Sequence, residues 1–393
     1  MDKKNIDILQ IGRDISNTGG GTVILETTNE LISQGYNVEI LTDSLIDEKY
    51  KTKIIPLGNV LLNWEAKNKI SKTIRHLLQI VTFMFFGTII ARKYQKEGYV
   101  VVNHNIEILG GDLLVFHNVF LAEWLKDKRK IPEKLYRWIN PIFTLRIIRE
   151  IIAVRLKGVK SIIAVSPITL EEVVKISPLK KRKSAINNGV NLKKFHSIDC
   201  QSTRKIRESH NFLVEDKLLL FVGHEYERKG LSFLIEALVY LPKNYKLIVV
   251  GGRGSSQQKY ETLAQNLKVE KRVFFKGTQK EIVEYFQMSD VFILPSAYET
   301  WALVGLESLA CGTPVLMTNT GGIKEYLIEG YNGYFIEQKS EDIAEKIILI
   351  LKNEEKYRIM RLNARFSTKD FGWASVAKKY RDEILNFKGE NID

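Results

Sequence analysis

Short apolar runs recur along the first half of the chain, separated by stretches of helical period. Ile6–Ile11, Val38–Leu41, Tyr99–Asn103, Leu113–Phe116, Ile162–Val165 and Ser184–Ile186 each read as a strand, with a helical pattern following the first through about Leu31. The second half repeats the grammar with Leu218–Val222, Lys246–Val250, Val273–Lys276, Val291–Leu294 and Val315–Met317, and Gly230–Leu241 reads as a helix among them. An amphipathic tail, "FGWASVAKKYRDEILNF", predicts a closing helix after residue 370. Strand alternating with helix in this way predicts an α/β protein with two open parallel sheets. A length of 393 residues is more than one hydrophobic core usually serves, which agrees with two domains. The polar, aperiodic stretch 192–205 is the expected linker. The divisions are then 1–195 and 196–370, each Rossmann-like, and 371–393 as the tail helix.

Composition changes this picture little. The chain is 45% hydrophobic and 27% charged, as in an ordinary globular protein. Its two cysteines, Cys200 and Cys311, are far apart, which argues against a disulfide framework or a zinc site and fits a reducing, cytoplasmic setting. The apolar stretch Leu77–Ala91 would reach about 22 Å as a helix, short of a hydrocarbon core of about 30 Å, so it is not expected to span a membrane.

Charge does change it. The net charge is +13, and residues 1–200 hold 31 Lys and Arg against 20 Asp and Glu, so nearly all the excess belongs to the first half. Nucleic acid, an anionic membrane surface or an anionic substrate are the partners such an excess suits, beside a merely solvated surface. Lys72 and Arg75 precede the Leu77–Ala91 stretch and Arg92, Lys93 and Lys96 follow it. A second basic, apolar segment carries Arg137, Arg146, Arg149, Arg155 and Lys157. Segments of this kind can lie on anionic lipid; core packing or an ordinary surface helix is the other reading.

Candidate chemistry gathers after the predicted strand ends, where open parallel sheets bind ligands. Gly19, Gly20 and Gly21 follow the first strand and could let a ligand approach the backbone, or serve only a tight turn. "VVGGRGSSQQ" lacks the third glycine of a dinucleotide fingerprint, which argues against a nicotinamide-dependent oxidoreductase. Arg228 and Lys229 follow a strand end and together suit a diphosphate. In "LPSAYETWALVGLESLACGTPVL" a helix is expected from about Trp301 to Cys311, with Glu299 at its mouth and Glu307 two turns on. Backbone N–H groups at Thr300, Trp301, Ala302 and Leu303 could hold phosphate oxygens. A carboxylate at Glu307, among Leu303, Leu306, Leu309 and Ala310, needs donors: ribose hydroxyls, or a nearby Lys.

Glu299 and Glu307, seven residues between them, followed by "SLACGTPVL", resemble the signature of the family 4 glycosyltransferases, retaining enzymes of the GT-B fold. "TGGGTVILETTNELISQGYNVEILT", "IIAVS", "INNGVNLKKF", "FVGHEYERKGLSFLIEAL", "GTQKEIVEYFQMSDVFILPSAYET", "TGGIKEYLIEGYNGYFI" and "FGWASVAKKY" follow in the family's order, so the resemblance runs nearly end to end. It implies two Rossmann-like domains facing across a cleft, with the last helix crossing back to the first. It also implies that Lys229, with Arg228, neutralises the diphosphate of a nucleotide sugar, that Glu299 holds donor-sugar hydroxyls and that Glu307 takes the ribose. His117, in "DLLVFHN", matches the family's histidine at the reacting centre, and His104, in "VVNHN", is a second candidate. The family often has Gly where this chain has Thr300 and Ala302, and Arg where it has His224.

The resulting expectation is a metal-independent retaining hexosyltransferase, cytoplasmic or peripheral on the inner face of the cell membrane. It would move a sugar from a UDP- or GDP-sugar to a lipid-linked or cell-envelope saccharide, with no cofactor. No Asp-x-Asp occurs in the chain. A GT-B phosphorylase or nucleotide-sugar epimerase is the alternative enzyme. A basic nucleic-acid-binding protein is the alternative of another class, and nucleic acid is not expected because no recognised module accompanies the charge.

Overall fold

The computed structural model describes residues 6–15, 19–43, 52–57, 67–126, 139–177, 180–252 and 254–389. Arg137 and the part of the glycine motif before Gly19 lie outside them. The chain divides into two compact units: Met1–Asn188 together with Trp373–Asp393, and Gly189–Gly372.

The first unit is built on seven strands: β1 (Asp7–Ile11), β2 (Asn37–Thr42), β3 (Lys53–Pro56), β4 (Val100–His104), β5 (Leu113–Phe116), β6 (Ser161–Ala164) and β7 (Arg182–Ala185). Their order is β3-β2-β1-β4-β5-β6-β7, and all neighbours are parallel. Every residue of β4, β5 and β6 is buried, which explains their mainly apolar sequence; the polar ones, Asn103, His104 and Ser161, are hydrogen-bonded inside. On one face Leu9, Ile11, Leu41 and Val101 pack with Phe83 and Ala91 of the Lys69–Lys96 helix. Ile40 faces the other way, onto Ile24 of the Gly19–Ser33 helix. The tail helix, Trp373–Gly389, belongs to this unit and packs along the Gly19–Ser33 helix. Glu383 fastens it: its carboxylate accepts from the Ser161 hydroxyl at 2.6 Å and from Arg182 at 2.9 Å.

The second unit has six parallel strands: β8 (Lys217–Val222), β9 (Tyr245–Val250), β10 (Val273–Gly277), β11 (Val291–Leu294), β12 (Val315–Met317) and β13 (Gly333–Phe335). Their order is β10-β9-β8-β11-β12-β13, so the direction of winding reverses between β8 and β11. In the first unit it reverses between β1 and β4. These are the two places where an open sheet leaves room for a ligand at its carboxyl ends.

Three sequence expectations are corrected. Stretch 192–205 is not a free linker: Phe195 packs edge-on against Phe286 at 6.0 Å, and a helix, Cys200–Ser209, starts behind the Asp199 cap. The apolar stretch Leu77–Ala91 is only the middle of the 28-residue Lys69–Lys96 helix, capped by Asn68. At about 1.5 Å per residue that helix is about 42 Å long, so length does not exclude a crossing. Among the described residues it is the one helix long and apolar enough for that. Arg149 does not belong to a lipid-facing surface; it is buried and bonded to Glu107 at 3.0 Å and to the Asn105 carbonyl at 3.2 Å.

Candidate active site

In the second unit the sheet ends at β8 and β11 bring together residues about 70 positions apart. Past β8 the chain turns through Gly223 and returns so that the stem of Lys229 crosses above it. A Cβ on Gly223 would lie 2.2 Å from Lys229 Cδ, so no side chain fits. The neighbouring strand end is equally bare: a Cβ on Gly251 would lie 2.5 Å from the Gly223 carbonyl oxygen. Past β11, Ser296 and Glu299 occupy the loop before the next helix. Glu299 Oε1 accepts from Lys229 Nζ at 2.9 Å, from the Ser296 hydroxyl at 3.0 Å and from Arg228 at 3.3 Å. Burial is the largest influence on this carboxyl and pushes its pKa up. The charges of Lys229 and Arg228 outweigh it and hold the group below the ordinary value. Glu299 is therefore an anion, with its bonds concentrated on Oε1 and Oε2 left for another partner.

Arg228 is committed differently from Lys229. Its Nε and one terminal nitrogen bind Glu225 at 2.9 and 2.7 Å, and the other reaches the Tyr298 carbonyl as well as Glu299. It braces the Glu299 loop, whereas the Lys229 ammonium has three donors and spends one on Glu299. His224, where the family often has Arg, is exposed and accepts from the Gly252 N–H at 3.2 Å.

The helix after Glu299 runs from Leu303 to Ala310, two residues later than expected. Trp301 is not its first turn but a core anchor, 2% exposed, edge-on to Tyr326 at 5.5 Å. Ala302 caps the helix in the left-handed region, at φ 57° and ψ 73°. The Leu303 and Val304 amides have no intrahelical acceptor, as in any first turn. The Thr300 carbonyl accepts from the Gly322 N–H at 2.8 Å, which ties the loop to residues past β12 that the sequence did not single out.

Glu307 is half-buried on this helix, and its Oε2 is sealed from solvent without a hydrogen-bond partner among the described residues. Burial pushes its pKa up to about 7, only partly offset by the Lys194 charge. Lys194 itself pairs with Glu281 at 3.0 Å, so the salt bridge considered for Glu307 is absent among the described residues.

In the first unit the pairing of β4 with β5 sets His104 opposite Val115, two residues before His117. His104 Nδ1 lies 2.9 Å from His117 Nε2, and His104 Nε2 lies 2.8 Å from Gln10 Oε1. The proton positions follow from the far end. The Thr27 hydroxyl donates to the Val23 carbonyl at 2.6 Å, so it can only accept from Gln10, whose Nε2 faces it at 3.4 Å and the Thr28 hydroxyl at 2.8 Å. Gln10 Oε1 then faces His104, whose Nε2 must carry the hydrogen. Burial drives the His104 pKa well below its ordinary value and takes His117 down to about 4, so both rings are neutral near pH 7. His104 Nδ1 is thus a bare acceptor, His117 Nε2 donates to it, and His117 Nδ1 is left as a buried acceptor without a partner among the described residues.

Gly20 lies beside this ring. The glycines are not a loop but the first turn of the Gly19–Ser33 helix, and Gly19 is exposed. A Cβ on Gly20 would sit 3.0 Å from Asn105 Nδ2 and 3.6 Å from His117 Cδ2, so glycine keeps the approach to the imidazole open. Sequence reasoning missed what surrounds Asn105: Glu107 lies 3.0 Å from Arg149 and 3.9 Å from Arg13. Burial lowers the pKa of the neighbouring Arg146, with Glu107 opposing. Among the described residues, no three His, Cys, Asp or Glu side chains are grouped to hold a metal ion.

Residues 202–366 match the family model described as glycosyl transferases group 1. This match falls wholly within the second unit and covers the Lys229, Glu299 and Glu307 site. Two uncharacterized glycosyltransferases of Methanocaldococcus jannaschii are similar: one is 30% identical over 56% of this chain and 58% of its own length, the other 28% identical over 79% and 82%. A Campylobacter jejuni N,N'-diacetylbacillosaminyl-diphospho-undecaprenol alpha-1,3-N-acetylgalactosaminyltransferase is 28% identical over 51% of this chain and 54% of its own. Apart from the relative matched over 82%, the chain spans about half the length of the curated relatives it matches.

Among solved structures, sucrose-phosphate synthase from Thermosynechococcus elongatus is similar with a TM-score of 0.79 at 19% identity, covering 98% of this chain and 100% of that one. Anabaena HepE in complex with UDP and glucose has a TM-score of 0.73 at 15% identity, covering 97% and 100%. At such identities the likeness is one of fold, and the fold is GT-B: two α/β units, each on a parallel sheet.

Proposed function

We propose that this chain is a metal-independent, retaining glycosyltransferase that moves a hexose-type sugar from a nucleotide diphosphate sugar to a hydroxyl of a saccharide acceptor. The observation that carries the reading is the Lys229–Glu299 pair at the β8/β11 reversal, inside the segment that matches the group 1 glycosyltransferases. When the bond from the sugar's anomeric carbon to the diphosphate breaks, negative charge develops on the departing phosphate. The remaining Lys229 donors and the first-turn amides of the Leu303–Ala310 helix supply fixed positive charge for it, in place of a divalent ion. Glu299 Oε2 accepts from hydroxyls of the donor sugar, and Arg228 keeps that carboxylate in position. Glu307 Oε2 accepts from the ribose. The HepE complex with UDP makes a UDP-sugar the first donor to test.

The first unit takes the acceptor. His117 Nδ1 accepts a hydrogen bond from a sugar hydroxyl, a role its tautomer already prepares. The Campylobacter relative, named for a diphospho-undecaprenol substrate, supports a lipid-linked saccharide.

A thermal-shift screen of UDP-, GDP- and ADP-sugars tests the donor half. A ligand at a hundredfold its dissociation constant adds about 2.7 kcal/mol of stability. Glu307 gives the screen a pH signature. Its folded pKa of about 7 lies above the ordinary 4.5, so the fold holds a proton that the unfolded chain has lost. Ligand-free stability therefore falls as pH rises between those two values. Ribose hydroxyls bind the ionised form, so donor affinity rises as pH passes through about 7. Glu307→Gln should remove the pH dependence of donor affinity and weaken the donor by about tenfold. It should flatten the stability trend without abolishing it, because burial also raises Glu150 to about 7 and Asp43 to about 6. No shift with any nucleotide sugar at any pH would refute the proposal.

A further inference from the structure

The Lys69–Lys96 helix is apolar on two sides. Ile80, Phe83, Gly87 and Ala91 are buried, and Phe83 and Ala91 belong to the sheet's core, so this side is satisfied. The opposite side is not. Ile70, Ile74, Leu78, Val81, Phe85 and Ile89 are all exposed, from 40% at Leu78 and Val81 to 72% at Ile70. At about 100° per residue these six fall within one arc of about 100°, spread over some five turns. Only 28% of the helix's most apolar 18-residue window is buried. Arg92 and Lys96, both exposed, continue the same arc at its end, and Arg75 and Lys93 flank it. A cavity beside Arg92 is also lined by Lys157, which adds a further cation at that end.

We propose that this outer face docks the first unit flat on an anionic lipid bilayer. A helix whose inner face is built into a sheet cannot cross the membrane, yet its outer face offers what an interfacial helix buries: aliphatic and phenyl groups at one depth, with cations at the headgroup level. The charge complements the surface, since the excess of Lys and Arg lies in residues 1–200. A protein partner fits less well. Polar groups such as a protein interface's rim would offer are scarce between Ile70 and Ile89 on this arc. The inference does not depend on the donor chemistry, and nucleotide-sugar binding can be measured separately on the same variants.

The test is vesicle flotation of the full chain with phosphatidylcholine alone and with phosphatidylcholine plus phosphatidylglycerol. The expected result is binding to the mixed vesicles at low salt, much weaker binding to the neutral ones, and screening by added salt. Phe85→Asp with Ile89→Asp should lower vesicle affinity at least about tenfold while leaving the melting temperature unchanged, both side chains being exposed. Arg92→Gln with Lys96→Gln should lower it about fivefold per cation, and keeps the test decisive if the aspartates disturb folding. Failure of the native chain to float with anionic vesicles would overturn the proposal. So would unchanged affinity in both variants. Sedimentation showing a dimer that Phe85→Asp splits would assign the face to a second copy instead.

Discussion

The two units hold their candidate groups by opposite means. In the second, a carboxylate, an ammonium and a guanidinium balance one another within 3.3 Å, and the charges stay ionised because they are paired. In the first, two buried imidazoles and an amide form a neutral chain, and what is left over is one lone pair on His117. Fixed charge suits a step in which a phosphate leaves; a neutral acceptor suits the handling of an uncharged hydroxyl. Under the proposed function, the pairing of side chains divides the work before any ligand arrives.

The largest expected effect comes from removing the charge. Lys229→Met should lower kcat by about 10²–10³, as loss of one preorganised donor does elsewhere. It also leaves the buried Glu299 charge to Arg228 at 3.3 Å and the Ser296 hydroxyl, without its nearer cation, so unfolding should come at lower denaturant. Adding Glu299→Gln should restore stability without restoring turnover; recovery of both would reduce the pair to a structural ion pair. A smaller effect is expected from His104→Gln, which alters the group that sets the His117 proton. Here kcat should fall roughly three- to tenfold with the donor KM unchanged. A matching rise in KM would mean the relay only shapes the pocket. The smallest concerns Ala302, whose positive φ is strained for a residue with a Cβ. Ala302→Gly should raise stability by roughly 0.5–1 kcal/mol, read from the urea midpoint.

Most strands of both sheets were readable because they carry runs of buried apolar residues; β7, of sequence RKSA, does not, and only its end from Ser184 was read. β3, of sequence KIIP, and β13, of sequence GYF, escaped because they are short edge strands of mixed character. Glu299 and Lys229 could be singled out from their places after strand ends, and His117 only from its place in the family resemblance. Their partners could not, because a contact between residues 70 apart depends on which strands are neighbours. The His104 link likewise depends on the β4–β5 register. The late start of the Leu303 helix was hidden by Ala302, since no glycine marks the turn. Arg149 looked like a surface cation because its helix reads as amphipathic, while Glu107, 42 residues away, is what draws it inward.

Gly223, Gly251 and the crossing stem of Lys229 leave little room for a new side chain at the β8–β9 rim, where Tyr226 already donates to the Gly251 carbonyl and His224 accepts from the Gly252 N–H. A side chain at position 223 meets the lysine stem and one at position 251 meets the Gly223 carbonyl oxygen, so neither can change without moving its neighbour. A mutant library that probes the proposed donor preference therefore belongs in the Ser296–Ala302 and Thr318–Gly322 segments, which the Gly322 N–H and the Thr300 carbonyl tie together.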